Sequence, residues 1–312
     1  MGRTQPSDPP KTDSGGIVLI MRTRLVVALA IAVILASPIS ASAWGIEVHK
    51  FIMARAIPLL PREIRPYFLK YQASIVEHAG DPDLWRTVGW IEEPPRHFVD
   101  MDAYGAYPFS ELPHDYDEAE KRYGREFVQR NGTLPWRSED MYRRLVEAFS
   151  QKAPYARENI RLFSSVIAHY TADAHQPFHA VLNYDGQLTG QWGIHSRFET
   201  ELVERYKSKL HLSPTLPSGI GNPREFIFAA LTASFALAQP ILDADKAAVS
   251  GRDFYDDGYF AKLFAATRPT LEKRLSDSIA GVAAMITAAW VEAGRPALPA
   301  EIHNPPRPVR RK

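Results

Sequence analysis

The sequence predicts an all-α fold, a single multi-helix domain over residues 44–294, and three observations predict it. Apolar residues recur three and four positions apart in segment after segment, the period of a helix with one buried face. No convincing series of alternating apolar and polar residues marks a sheet. No internal repeat and no Pro/Gly-rich linker interrupts 44–294, so one domain is the economical organisation.

The first stripe, over 47–60, consists of Val48, Ile52, Ala56 and Leu59. A second runs over 62–78 through Ile64, Phe68, Tyr71 and Ile75. Residues 104–136 carry Pro108, Pro113 and Pro135 and read as an irregular excursion, since proline removes a helix donor. Helices resume at 139–151 (Met141, Leu145, Ala148, Phe149) and at 157–174 (Ile160, Phe163, Ile167, Tyr170). An amphipathic helix is expected over 195–206. The Ala-rich stretch 224–248 is expected to kink or break at Pro240. A long helix over 274–294 should stop at Gly294, with Pro296 just beyond.

Both chain ends read as lying outside this domain. Arg22-Thr23-Arg24, the apolar run Leu25–Ala36 and Ala41-Ser42-Ala43 form the pattern of a secretory signal peptide with an A-x-A cleavage site. The run is short for a membrane span, which needs about 20 residues; an uncleaved anchor is the alternative. Cleavage after Ala43 makes 1–43 a removed segment and Trp44 the new N-terminus. Residues 1–20 precede Met21 and read as an over-extended start with no structural role. Residues 295–312 are basic and Pro-rich and read as a disordered tail. The expected location is the periplasm or the extracellular space.

Composition narrows the chemistry. Hydrophobic residues make up 45% of the 312 positions, enough for a packed core. The absence of Cys excludes disulfides, thiolate zinc sites, iron–sulfur clusters and thiol nucleophiles. With 37 Lys+Arg against 36 Asp+Glu, the chain is not built to wrap nucleic acid by charge alone. Any metal must be held by His, Asp and Glu, so the ten His carry most of the functional information.

Two segments concentrate that information: HYTADAHQPFH, His169 to His179, and HSRFE, His195 to Glu199. His169 and Asp173 are four apart, as are His195 and Glu199, which places each pair on one helical face. His179 follows just beyond Pro177. Burying imidazoles and acids is costly unless they are paired or metal-bound, and these are ligand types that zinc takes. His49, His97 in PPRHFVD, and Asp81 and Asp83 in HAGDPDLWR are weaker candidates taken singly. His78, His114, His211 and His303 show no partner pattern. His175 is either a hydrogen-bond partner of a ligand or a helix-end His satisfied locally. The loop 183–193 places Tyr184 and Trp192 to line a cleft, where they would stack on a base, contact lipid or simply pack.

HYTADAHQPFH followed by GIHSRFE, with Trp44 exposed by cleavage, His49 near it, and an Asp and a His in between, resembles a known superfamily. It unites bacterial zinc-dependent phospholipases C with single-strand-specific nucleases, and the likeness runs from Trp44 to about Glu199. The resemblance implies an all-helical domain with a trinuclear zinc cleft. It implies one zinc on Asp83, His97, His169 and Asp173, and a second on His179, His195 and Glu199. The third falls to the amino nitrogen and carbonyl oxygen of Trp44, His49, and Asp173 as a bridge. Asp81 is the alternative to Asp83, which is favoured by its 14-residue gap to His97 and by Arg86 three residues on.

The implied activity is an exported zinc-dependent phosphodiester hydrolase, phospholipase C-like, in which a zinc-bound hydroxide attacks phosphorus in line. Asp83 would orient or deprotonate the water. Glu199, where the nucleases typically carry Asp, leans towards a phospholipid substrate. A single-strand-specific endonuclease with 3′-nucleotidase activity is the alternative. Transient contact with a membrane surface is expected, and no stable protein partner is implied. A reading from another class, a non-catalytic zinc-stabilised envelope binding protein, requires the ligand set to be incomplete in space.

Overall fold

In the computed structural model, the helix that carries HYTADA stands at the centre of the molecule. The structure describes residues 45–150 and 155–298. The expected signal peptide, Trp44 and all but the first residues of the basic tail lie outside the described residues. No strand occurs among the described residues.

The helices are α1 (Ile46–Ala56), α2 (Arg65–Lys70), α3 (Gln72–Glu77), α4 (Asp81–Thr87), α5 (Tyr116–Tyr123) and α6 (Arg125–Arg130). They continue with α7 (Leu134–Phe149), α8 (Ala156–Ala174), α9 (Ile194–Ser196), α10 (Leu202–Tyr206), α11 (Pro223–Val249) and α12 (Asp257–Glu292). A π-helical turn, Arg197–Glu201, joins α9 to α10.

From Ser164 to Ala174 every residue of α8 is buried. A helix buried all round is a core helix, and α8 is enclosed by α1, α7, α11 and α12. Ile160, Ile167 and Tyr170 of α8 share the core with Leu145 and Phe149 of α7 and Leu275, Ile279 and Ile286 of α12. His169 and Asp173 therefore leave the helix with their side chains buried. α11 is long and apolar enough to cross a membrane by length and composition alone. Its apolar side, with Ile227, Leu231 and Ile241, is packed in the same core.

The structure departs from the periodicity in four places. The stripe over 62–78 is two helices, α2 and α3, because Tyr71 (φ −103°, ψ 15°) turns the chain so that both Phe68 and Ile75 are buried. The excursion 104–136 contains α5 and α6. Asp115 caps α5 by accepting from the Glu118 amide, and Pro135 opens α7 in its first turn, where no donor is needed. Pro240 does not break α11. It lies on the exposed side, where water can satisfy the carbonyl its ring leaves unbonded. The last helix begins at Asp257, not 274, capped by the Asp256 carboxylate on the Tyr259 amide, and Pro269 is likewise on the outer side. It stops where expected, with Gly294 at φ +86°.

Candidate metal centre

Local structure aims each candidate side chain. The Nδ1 of His169 lies 2.9 Å from the Ala79 carbonyl. A carbonyl only accepts, so Nδ1 carries the proton and Nε2 presents its lone pair. The Nδ1 of His179 is held in the same way by the His97 carbonyl at 2.7 Å. The segment around His97 is stitched on two sides. The Val99 amide donates to the His179 carbonyl (2.9 Å), and the Thr133 amide donates to the Pro95 carbonyl (2.6 Å). Gly132, at φ +92°, permits this approach, because a Cβ there would stand 2.1 Å from the Phe98 carbonyl oxygen. Gln176 accepts from the Phe178 amide and donates to Glu199 Oε2 at 2.7 Å, joining the end of α8 to the π-turn.

Three groups of buried donors result: His49, His169 and Asp173; Asp83, His97 and His169; and His179, His195 and Glu199, with the donor atoms of each group within 4.8 Å of one another. Four ligands about 2.0–2.3 Å from one tetrahedral zinc stand about 3.3–3.7 Å apart. Around the first candidate ion, His97 Nδ1 is 3.1 Å from His169 Nε2 and 3.8 Å from Asp83 Oδ1. Asp173 Oδ2 is 3.1 Å from His97 Nδ1 and 3.3 Å from His169 Nε2. Around the second, His195 Nε2 is 3.0 Å from both His179 Nε2 and Glu199 Oε2. The other oxygen of Asp173, Oδ1, is 3.3 Å from His49 Nε2. One carboxylate thus faces two groups.

The chemistry of the donor set fits a metal. Both nitrogens of His49, Asp173 Oδ1 and Glu199 Oε1 are buried without a hydrogen-bond partner, an arrangement costing about 1–3 kcal/mol per atom unless a cation satisfies it. Burial pushes the imidazoles of His49 and His195 down to about 4 and that of His179 to about 3. All three are therefore neutral near pH 7, the form that binds metal. Burial works against the charge of His97 too, but Asp173 and Glu93 outweigh it and raise the group to about 9. Burial also opposes ionisation of Asp173, yet His169 and His179 hold it well below the usual carboxylate range. Glu199 goes the other way: burial pushes it well up despite the Gln176 hydrogen bond.

The structure separates Asp83 from Asp81. Asp83 is buried beside His97 and His169, with Arg86 donating to its Oδ1 at 2.7 Å. Asp81 instead faces His78 at 2.8 Å. His175 is satisfied by its own helix. Its Nδ1 meets the Thr171 carbonyl at 2.7 Å, and its ring packs towards Phe226 and Gly281. Tyr184 and Trp192 are exposed. His195 and Glu199 meet although the turn between them is π rather than α.

Two contributors escape the motif reading. Glu93 is fully buried, with Oε1 3.6 Å from His97 Nε2, and it accepts hydrogen bonds from Tyr170 and Arg96. Burial alone would raise its pKa, but His97, Tyr170 and Arg96 bring it to about 2. Its signal in the sequence is the same four-residue His–carboxylate spacing, obscured by Pro94 and Pro95 in between. Gln176 is the second, and nothing in its spacing announces a contact with Glu199.

A sequence profile described as zinc-dependent phospholipase C matches residues 48–236, more than half of the chain. The chain belongs to the zinc-dependent phospholipase C family. No curated protein gives a significant match. The matched region contains every candidate ligand except Trp44. As a member of the zinc-dependent phospholipase C family with buried His/Asp/Glu groups that could hold metal, the protein is a zinc phosphodiesterase. The non-catalytic reading needed a scattered ligand set, and the described ligands are assembled.

Proposed function

We propose that the protein is an exported phospholipase C that holds three zinc ions and releases a phosphorylated head group from phospholipid. The observation that carries this reading is Asp173, whose two oxygens face His97 with His169 on one side and His49 on the other. A shared carboxylate would let His49, His97 and His169 hold two cations close together, and the His179, His195 and Glu199 group would hold a third.

Zinc, when bound, lowers the pKa of a coordinated water towards 7 and offsets the negative charge that develops on phosphate oxygens. The chain's own residues do the rest. Asp83, held by Arg86, would orient the attacking water and take up its proton. Gln176 holds Glu199 by a hydrogen bond, and the buried Glu93 carboxylate lies 3.6 Å from His97, where it would favour the charged or metal-bound ring. Gly45, buried with its amide 3.3 Å from Thr200 Oγ1, sets the start of α1 beside Glu199. This supports Trp44, the preceding residue, as the terminal ligand once a signal peptide is removed after Ala43.

The lean towards lipid rests on the loops around the site. Residues 87–95 and 180–193 contain no Lys or Arg, whereas nucleic-acid binding draws its affinity from such cations on phosphates. The test uses chain beginning at Trp44, with zinc measured by mass spectrometry and hydrolysis measured on phosphatidylcholine and on single-stranded DNA. Release of phosphocholine is expected. Preferential cleavage of DNA would replace the lipase reading with the nuclease one, and hydrolysis of neither would overturn both.

A further inference from the structure

His195 is aimed differently from its neighbours. The Nδ1 atoms of His169 and His179 each meet a backbone carbonyl, but the Nδ1 of His195 is buried with no hydrogen-bond partner among the described residues. With no bond on its far side to turn the ring, the place of His195 depends on where the backbone of α9 is set. The side chain that sets it is Arg197. It is 4% exposed and makes four hydrogen bonds to three separate pieces of chain. Nη1 donates to the Trp192 carbonyl (2.7 Å) and Nη2 to the Gln191 carbonyl (3.2 Å), at the end of the loop that enters α9. Nε donates to Tyr259 Oη of α12 (2.8 Å), and Nη2 also donates to Asp245 Oδ1 of α11 (3.2 Å). The Tyr259 hydroxyl donates to that same oxygen, and Gln191 Nε2 donates to the other oxygen of Asp245 at 2.7 Å.

The loop is shaped for this clamp. Gly193 precedes α9 at φ +81°, and a Cβ there would stand 2.9 Å from Arg197 Nη1. Gly186, at φ +73°, lies so close to Gln191 that a Cβ would stand 2.6 Å from its carbonyl oxygen. Asp185 grips α9 a second time by accepting from the His195 amide at 3.3 Å. On its other side Arg197 opens the π-turn, its carbonyl accepting from the Leu202 amide five residues on. Single π-turns of this kind occur frequently at functional sites, and this one separates two candidate ligands, His195 and Glu199. An enclosed ion pair adds little stability over an apolar pair of similar volume; its best-attested use is to fix one arrangement. We propose that Arg197, with Asp245 as its counter-ion, is the positioning residue of the His179, His195 and Glu199 group. It holds the loop and the π-turn where His195 Nε2 and Glu199 Oε2 come within 3.0 Å of each other. The proposal rests on the zinc reading of that group and says what aligns it.

The test reads zinc affinity and urea stability on the same chains beginning at Trp44, without substrate. In chelator competition Arg197→Met should weaken one zinc about 10–100-fold and leave the others in place. Arg197→Met/Asp245→Leu should regain part of the stability and none of the affinity, because an apolar pair fills the space but binds no loop carbonyl. Arg197→Lys keeps the charge beside Asp245 without the planar fork, and it should also weaken that zinc, by about tenfold or more. It serves as the second variant should the methionine chains misfold. Stability and zinc affinity recovering together in the double variant would reduce Arg197 to a structural role and overturn the proposal, as would wild-type affinity in Arg197→Lys. Failure of the zinc reading looks different: His195→Ala would keep the full zinc content, which removes the group itself as a zinc site.

Discussion

Glu93 and His97 stand four residues apart with Oε1 3.6 Å from Nε2, while the other ring nitrogen of His97 lies 3.1 Å from Asp173 Oδ2. One imidazole lies between two carboxylates, with Glu93 facing the nitrogen turned away from Asp173. Replacing Glu93 with Gln should lower zinc affinity about 10–100-fold, measured by competition with a chelator. Because His97 without metal sits at about 9, it is protonated at pH 7 and must release a proton when zinc binds. Calorimetry in buffers of different ionisation enthalpy should register that proton in the wild type and fewer in Glu93→Gln.

Asp173 joins two groups through its two oxygens. Asp173→Asn should therefore lower the zinc content by more than one ion per chain, whereas Glu199→Gln should lower it by about one. Mass spectrometry under native conditions reads both. A loss of one ion in each variant would show that Asp173 is not shared.

The terminal-ligand assignment for Trp44 depends on a free amine. A chain with two extra residues before Trp44 should lose one zinc and most of its activity, since an amide nitrogen is not a comparable donor. Full activity and full metal content in the extended chain would remove Trp44 from the centre.

Arg197 is buried between the loop and the C-terminal helices. It donates to Tyr259 Oη at 2.8 Å, to the Trp192 carbonyl at 2.7 Å and to Asp245 at 3.2 Å. Arg197→Met leaves Asp245 buried without its cation, which costs about 3–5 kcal/mol and frees the Trp192 end of the loop. Urea unfolding should show the loss, and Arg197→Met/Asp245→Leu should recover part of it.

Asp100 supplies the pH prediction. Burial, helped by the charge of Asp102, pushes its carboxyl up to about 8, and its Oδ1 has no hydrogen-bond partner. A carboxyl whose folded pKa exceeds its unfolded value opposes folding once ionised. Its cost is absent below about pH 4, grows as pH rises and is complete above about pH 8. Asp100→Asn should thus be more stable than the wild type at pH 9, by on the order of a few kcal/mol, and unfold at a higher temperature. The difference should vanish towards pH 4 in thermal scans of chelator-treated protein.

Much of this centre is legible in the chain itself. His169 with Asp173 and His195 with Glu199 are four-residue pairs, and local geometry obliges such pairs to share a face whether the turn is α or π. The helical period likewise suffices for α1, α7 and α8, and Gly294 for the end of α12. The departures have long-range causes. Burial of Tyr259, Phe260 and Leu263 extends α12 towards its start, and an outward-facing Pro240 is harmless.

What the sequence determined by itself is the ligand chemistry: a cysteine-free set of imidazoles and carboxylates at helical spacing. Only the tertiary structure showed that Asp83 rather than Asp81 lies beside His97 and His169, that Gln176 bonds Glu199 and Glu93 lies against His97, and that the two oxygens of Asp173 face different imidazoles. His97 and Asp173 are 76 positions apart. Their meeting depends on stitching 94–101 between α7 and the turn after α8, a relation among distant backbones that no local spacing encodes.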